Sequence, residues 1–176
     1  IKNCIDWRKL MKNILKLVGL AMFTLSASHF AIAESVTLKF HTFVPMPANS
    51  NAKFVKPWAD KVASESNGEI KVEMYPSMQL GGAPPQLVDQ VRDGVVDIVW
   101  TVAGYTPGRF PRLEVFELPF MPATATATSQ AIQEYVDTVA ADDLKDYKIL
   151  AVHVHAPGKI HTKNRLIKSA SDLKGL

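Results

Sequence analysis

Seven side chains have the types and positions to grip a small organic anion: His41, Phe43, Trp100, Tyr105, Arg109, His155 and Lys159. Each falls near the carboxyl end of a predicted strand or in the loop that follows one, the place where open α/β sheets bind ligands. Aromatic rings would take an apolar body, and the cationic groups would fix a carboxylate through charge-assisted hydrogen bonds. A duller role competes at several positions. Trp100 and Phe43 suit a core as well as a wall, and Arg109 could hold its own loop by pairing with Glu114 or Glu117.

A second constellation points to a metal. His153-Val-His155 would set two imidazoles on one face of a strand, with His161 close behind, which is how some zinc sites are built. A secreted zinc-dependent enzyme using His153, His155 and His161 is therefore the rival reading. Against it, there is no His-Glu-x-x-His helix, and His161 lies beyond the joint Ala156-Pro157-Gly158. Histidines near a strand end also serve as hydrogen-bonded packing or ligand-lining groups. Gly81-Gly82 precedes a helix, but Pro84 and Pro85 remove the N–H donors an anion needs, so it reads as a turn. No Gly-x-Ser-x-Gly elbow occurs. The expectation is a binding protein with no catalytic residue, no metal and no cofactor.

The elements that must position these groups alternate. Val36–Phe43 reads as a first strand and Glu69–Tyr75 as a second, polar on one face. Val95–Trp100 reads as a third, buried on both faces. Between them, residues 49–66 carry Phe54, Val55, Trp58, Val62 and Ala63 at helical spacing, with Asn67-Gly68 as the stop. Leu87–Asp93 is a second helix capped by Gly94. The β-α-β-α-β order predicts a doubly wound α/β sheet. After Trp100 comes a loop pinned by Gly104, Pro107, Gly108, Pro111 and Pro119, which holds Tyr105, Arg109 and Phe110. A helix over 124–143 then buries Ala131, Ile132, Tyr135, Val136 and Val139, and Lys148–His155 reads as a further strand.

The amino-terminal region has another purpose. Met11–Lys16 is a short basic segment, Leu17–Phe30 is uncharged and apolar, and Ala31-Ile32-Ala33 gives a small-x-small cleavage site. Residues 11–33 are thus expected to be a secretory signal peptide cut after Ala33, too short in its apolar run to span a bilayer. Residues 1–10, with the only Cys, read as upstream sequence ahead of the first Met. Of 20 Lys+Arg and 17 Asp+Glu, residues 1–33 hold five and one, leaving 15 against 16. A mature charge of about −1 offers no polybasic footprint for nucleic acid.

Six motifs occur in order: Gln79-Leu-Gly-Gly82, Gln90-Val-Arg-Asp-Gly94, Val96-Asp-Ile98, Thr106-Pro-Gly-Arg-Phe-Pro111, Phe116-Glu-Leu-Pro-Phe120 and Asp172-Leu-Lys-Gly175. Together they make the chain resemble the extracytoplasmic solute-binding subunit of tripartite ATP-independent periplasmic (TRAP) transporters, the dicarboxylate-binding DctP-like family. The resemblance implies a type II periplasmic-binding-protein fold with a mixed, doubly wound sheet and two lobes closing on the ligand. It implies a periplasmic location, delivery of an organic acid to TRAP membrane subunits, uptake driven by an ion gradient, and no chemistry on the solute. On that footing residues 34–155 are the first lobe and 156–176 the start of a truncated second. The family's main carboxylate-anchoring Arg would lie just past Leu176. Lys159 matches a second cationic position of the family, and Trp100 one that lines the cleft. With Phe43 and Tyr105, Trp100 favours an aromatic or otherwise bulky acid over a short dicarboxylate.

Overall fold

The computed structural model describes residues 8, 11, 12, 35–156 and 158–176. The upstream stretch, the leader, its cleavage point and Pro157 of the joint otherwise lie outside the described residues.

The fold is built on strand β1 (Val36–Thr42). Its first four residues are exposed or half-buried, whereas Phe40, His41 and Thr42 at its carboxyl end are all buried. Strand β2 (Ile70–Tyr75) pairs with it in parallel from Val36↔Ile70 to His41↔Tyr75. Strand β3 (Ile98–Trp100) pairs in parallel on the other edge, from Phe40↔Ile98 to Thr42↔Trp100. The order β2-β1-β3 makes the first strand central. Because the chain moves one way from β1 to β2 and the other way from β2 to β3, right-handed crossovers put their helices on opposite faces. The expected α/β class is therefore present, as a purely parallel sheet among the described residues.

Helix α1 (Lys56–Glu65) follows a π-helical turn at Asn51–Val55. That turn takes an extra residue and sets the phase of the helix, so Asn51, Val55 and Ala59 face inward. Phe54, expected on the buried face, is instead exposed. The helix stops where the sequence places the stop, Asn67 and Gly68 both taking positive φ while the Gly68 N–H bonds the Ala63 carbonyl. Helix α2 (Leu87–Arg92) begins after a 3₁₀ turn at Pro84–Gln86 and ends at Gly94.

Two strand predictions need correction. The third strand is shorter than Val95–Trp100, because the Val95 and Val96 N–H groups both donate to Gln90 O at the exit of α2 and are lost to the ladder. Val96 is buried, yet Val95 is exposed, so the segment is not covered on both faces. Lys148–His155 forms no strand. It runs beside helix α3 (Ala125–Thr138), where Val152 N donates to Gln133 Oε1 and Val154 N to Ser129 Oγ. Helix side chains thus take the hydrogen bonds that a neighbouring strand would have made.

The main core lies between α2, the post-β3 loop and α3. Val88, Phe110, Leu113, Ile132, Val136, Ala140 and Leu144 form it, with Tyr135, Tyr147, Ile149, Val152 and Val154 packed on its rim. Thr128, Ile132 and Val136 set the buried stripe of α3, whereas Ala131 and Val139 face outward, contrary to expectation. The chain rounds the end of the helix at Ala140, which is wholly buried. No helix among the described residues is long and apolar enough to cross a membrane.

Candidate functional site

The sheet order reverses between β1 and β3, and the crevice outside the carboxyl ends of those two strands is the topological switch point of the fold. Phe43 follows β1 and Trp100 ends β3. Their rings lie 6.1 Å apart, only 14° from parallel. Tyr105, in a 3₁₀ turn at Ala103–Tyr105, meets Phe43 edge-on with centroids 5.3 Å apart. All three are partly exposed, so the wall they form is open to solvent on one side. The strand ends are tied together underneath, where Thr42 Oγ1 donates to Trp100 O at 3.2 Å.

His153 joins this wall. The Trp100 indole N–H donates to His153 Nε2 at 3.1 Å. The two rings are 26° from parallel with centroids 5.5 Å apart. That separation together with the hydrogen bond means the rings meet edge to edge, nearly coplanar, rather than face to face. An indole nitrogen can only donate, so His153 Nε2 must be unprotonated and the neutral ring carries its proton on Nδ1. Sequence reasoning weighed His153 as a zinc ligand in the rival reading and otherwise as a hydrogen-bonded packing or ligand-lining group, and did not place it among the binding residues. The signal was its position after an apolar segment returning to the sheet end, but nothing in the spacing named Trp100 as partner.

The cationic and histidine candidates divide. His41 is wholly buried, with Nδ1 2.7 Å from Gln90 Oε1 and Nε2 accepting from Leu80 N at 3.4 Å. Both nitrogens are engaged in fixing the Gln79–Gly82 turn against α2. Gln90 Nε2 completes that arrangement by donating to Gly81 O. Arg109 donates to Asp89 Oδ1 at 2.6 Å and to the Tyr147 hydroxyl at 2.8 Å. Those bonds, Asp89 first, hold its guanidinium pKa above the ordinary value. Its partner is neither Glu114 nor Glu117, since these accept from loop backbone instead, Glu114 from Gly108 N at 2.6 Å and Glu117 from Gly104 N at 2.7 Å. His155 is exposed with Nδ1 2.6 Å from Ala156 O, and Lys159 is exposed and makes no ion pair among the described residues.

The zinc arrangement is not supported. His153 Nε2 is taken by Trp100, and among the described residues no three His, Cys, Asp or Glu side chains gather as a metal requires. The structure thus brings together Phe43, Trp100 and Tyr105 of the expected set and adds His153. It places His41 and Arg109 in supporting contacts and leaves His155 and Lys159 in solvent.

Residues 42–176 match the family described as DctP, bacterial extracellular solute-binding protein, family 7. The chain belongs to this family. Among curated relatives, an outer membrane transporter protein of Comamonas testosteroni is 33% identical over 146 residues, 81% of this chain and 42% of that protein. The sialic acid-binding periplasmic protein of Vibrio cholerae serotype O1 is 30% identical over 170 residues, 94% of this chain and 51% of that protein. Among solved structures, a TRAP solute-binding protein from a marine metagenome, described as specific for aromatic acid ligands and bound to 3-hydroxybenzoate, is 82% identical with a TM-score of 0.76. Another from Rhodoferax ferrireducens T118, with copurified benzoate, is 59% identical at the same TM-score. The match covers 81% of this chain and 44% of each of those two. The chain therefore spans about half the length of the relatives it resembles.

Proposed function

We propose that this chain is the first lobe, over residues 34–155, and the beginning of the second, from 156, of a periplasmic receptor. The receptor captures a small aromatic carboxylate and delivers it to TRAP membrane subunits for ion-gradient-driven uptake. The observation that carries this reading is the contiguous wall of Phe43, Trp100 and Tyr105 at the switch point between β1 and β3. Three rings at a sheet crevice offer faces and edges to an aromatic body, a recognition that short dicarboxylates cannot exploit. The relatives that hold 3-hydroxybenzoate and benzoate support the same solute class.

Lys159, free of ion pairs among the described residues, supplies a cation for the carboxylate once a second lobe closes over the crevice. Closure draws its energy from contacts made only in the closed state, and the water it expels strengthens the ion pair while penalising a cation left without an anion. No bond of the solute is made or broken, so the protein is a receptor and not an enzyme. Export follows from a signal peptide ending at Ala33.

The test is a thermal-shift screen of the mature protein carried to the length of its relatives, followed by calorimetry. Benzoate-type acids at millimolar concentration should raise the melting temperature by mass action, whereas succinate and malate should raise it less. Succinate or malate outcompeting every aromatic acid would remove the aromatic assignment. Trp100→Leu should lower affinity for aromatic acids about tenfold, the loss expected of a ring contact together with its buried area.

A further inference from the structure

Resting on that reading, the geometry of one residue deepens it. His153 accepts the Trp100 indole N–H through Nε2 at 3.1 Å. Two consequences follow. The indole, which could otherwise turn about its side-chain bonds, is fixed in its near-parallel arrangement with Phe43, 6.1 Å away. The imidazole is fixed too, in the tautomer that carries its proton on Nδ1. That second nitrogen makes no hydrogen bond among the described residues, and the ring is exposed. The aromatic wall therefore ends in a single oriented donor that no other described residue uses, attached to the same ring that braces the wall.

We infer that His153 is a specificity-determining residue for ring-hydroxylated aromatic acids, its Nδ1–H donating to a hydroxyl on the solute's ring while its Nε2 holds Trp100 in place. An unsubstituted ring stacks on the same wall but leaves this donor unmatched. A ring hydroxyl satisfies it without loss of stacking, and because the donor sits at one end of the wall, the position of the hydroxyl on the ring decides whether it is reached. A hydrogen bond to the ring hydroxyl adds a discrimination between isomers that stacking alone does not supply.

Calorimetry on the protein carried to the length of its relatives, with benzoate and with 2-, 3- and 4-hydroxybenzoate as probes, separates the outcomes. The unaltered protein should favour one hydroxybenzoate isomer over benzoate by about tenfold, the value of one hydrogen bond. His153→Leu keeps the volume and loses both nitrogens, and should bring that ratio to about one. His153→Gln keeps an acceptor for Trp100 and a donor for the ring, and should restore part of the preference. A preference that survives His153→Leu, or one equally absent from the unaltered protein, overturns the inference while leaving the receptor reading intact. Binding of no carboxylate at all overturns both. Fluorescence of Trp100, with Trp58 and every other Trp of the mature protein replaced by Phe, provides a readout independent of ligand. His153→Leu should change the indole emission and His153→Gln should change it less, and an emission indifferent to both would show that the bond to Trp100 does not form.

Discussion

Arg109, in the loop after β3, reaches across to Asp89 on α2 and donates to its Oδ1 at 2.6 Å, while its other terminal nitrogen donates to Tyr147 at 2.8 Å. Asp89 Oδ1 also receives Arg92 at 3.0 Å, so one carboxylate ties a loop and its own helix together. Tyr147 in turn stands edge-on to the buried Phe110, centroids 5.8 Å apart. The most prominent cation of the loop is thus a brace between three segments of the chain.

Its commitment to Asp89 has a measurable consequence. Arg109→Gln should lower stability by about 1 kcal/mol, a modest figure because both side chains are partly exposed. Asp89→Asn should cost a similar amount and Tyr147→Phe about half of it. Urea midpoints give these differences, and the affinity for aromatic acids should stay within about threefold throughout. A large loss of affinity with an unchanged midpoint would return Arg109 to the binding site.

Phe110 anchors the same loop from below. It is 5% exposed and sits in the cluster formed with Val88, Leu113, Ile132 and Val136. Phe110→Ala should destabilise by about 3–5 kcal/mol, and Phe110→Leu by much less, as expected where the loss comes from a cavity. Equal denaturation midpoints for the two variants would contradict that packing.

Gly104 is favoured at its position for a different reason. A Cβ built there would overlap the Glu117 carboxylate, which accepts the Gly104 N–H at 2.7 Å. The obstructing atoms are the far end of a flexible side chain, so Gly104→Ala should fold but evict the carboxylate at a cost of about 1 kcal/mol. Glu117→Gln, which keeps an acceptor, should cost less. Amide exchange at residue 104 reports the bond directly, and slow exchange surviving in Gly104→Ala would show that the cap is not displaced.

Asp172 gives the pH dependence. Its carboxylate accepts the Lys168 N–H at 2.9 Å, the Ser169 hydroxyl at 3.0 Å and the Ser169 N–H at 2.9 Å, and these hold its pKa below the ordinary aspartate value. A depressed folded pKa means that the contribution is fully present above the ordinary value of about 4 and is lost as pH falls through the lower folded value. The turn at 168–174 should therefore keep its structure at neutral pH and loosen only in stronger acid. Amide NMR shifts of Lys168 and Ser169 should titrate with a midpoint below about 4, and a midpoint at or above it would contradict the capping.

Much of this was readable from residue order because it depends on local chemistry. Asn67-Gly68 and Gly94 end helices where positive φ is needed, and Gly81-Gly82 turns where two positive-φ residues stand in succession. The first two strands follow from alternation. Where the reading failed, a distant partner had overridden a local pattern. Lys148–His155 has the composition of a strand, but α3 offered Gln133 and Ser129 to its amides first. Phe54 lies on the apolar stripe of an ideal helix, but a π-helical turn shifted the phase and left it in water.

By itself the sequence carried the family resemblance in its motifs, and it determined the order of the first three strands and their helices, the α/β class and the aromatic character of the residues at the strand ends. The elements and their class rest on periodicity, turn chemistry and side-chain type, which a chain carries wherever it folds. The tertiary structure alone decided the partnerships. Glu114 and Glu117 lie close to Arg109 in sequence, yet they cap glycine amides while Asp89, 20 residues away, takes the guanidinium. His153 stands 53 residues from Trp100 and meets it at the switch point of the sheet. Hydrogen-bond partners are settled by distance and direction in space, and only packing the sheet against its helices supplies those.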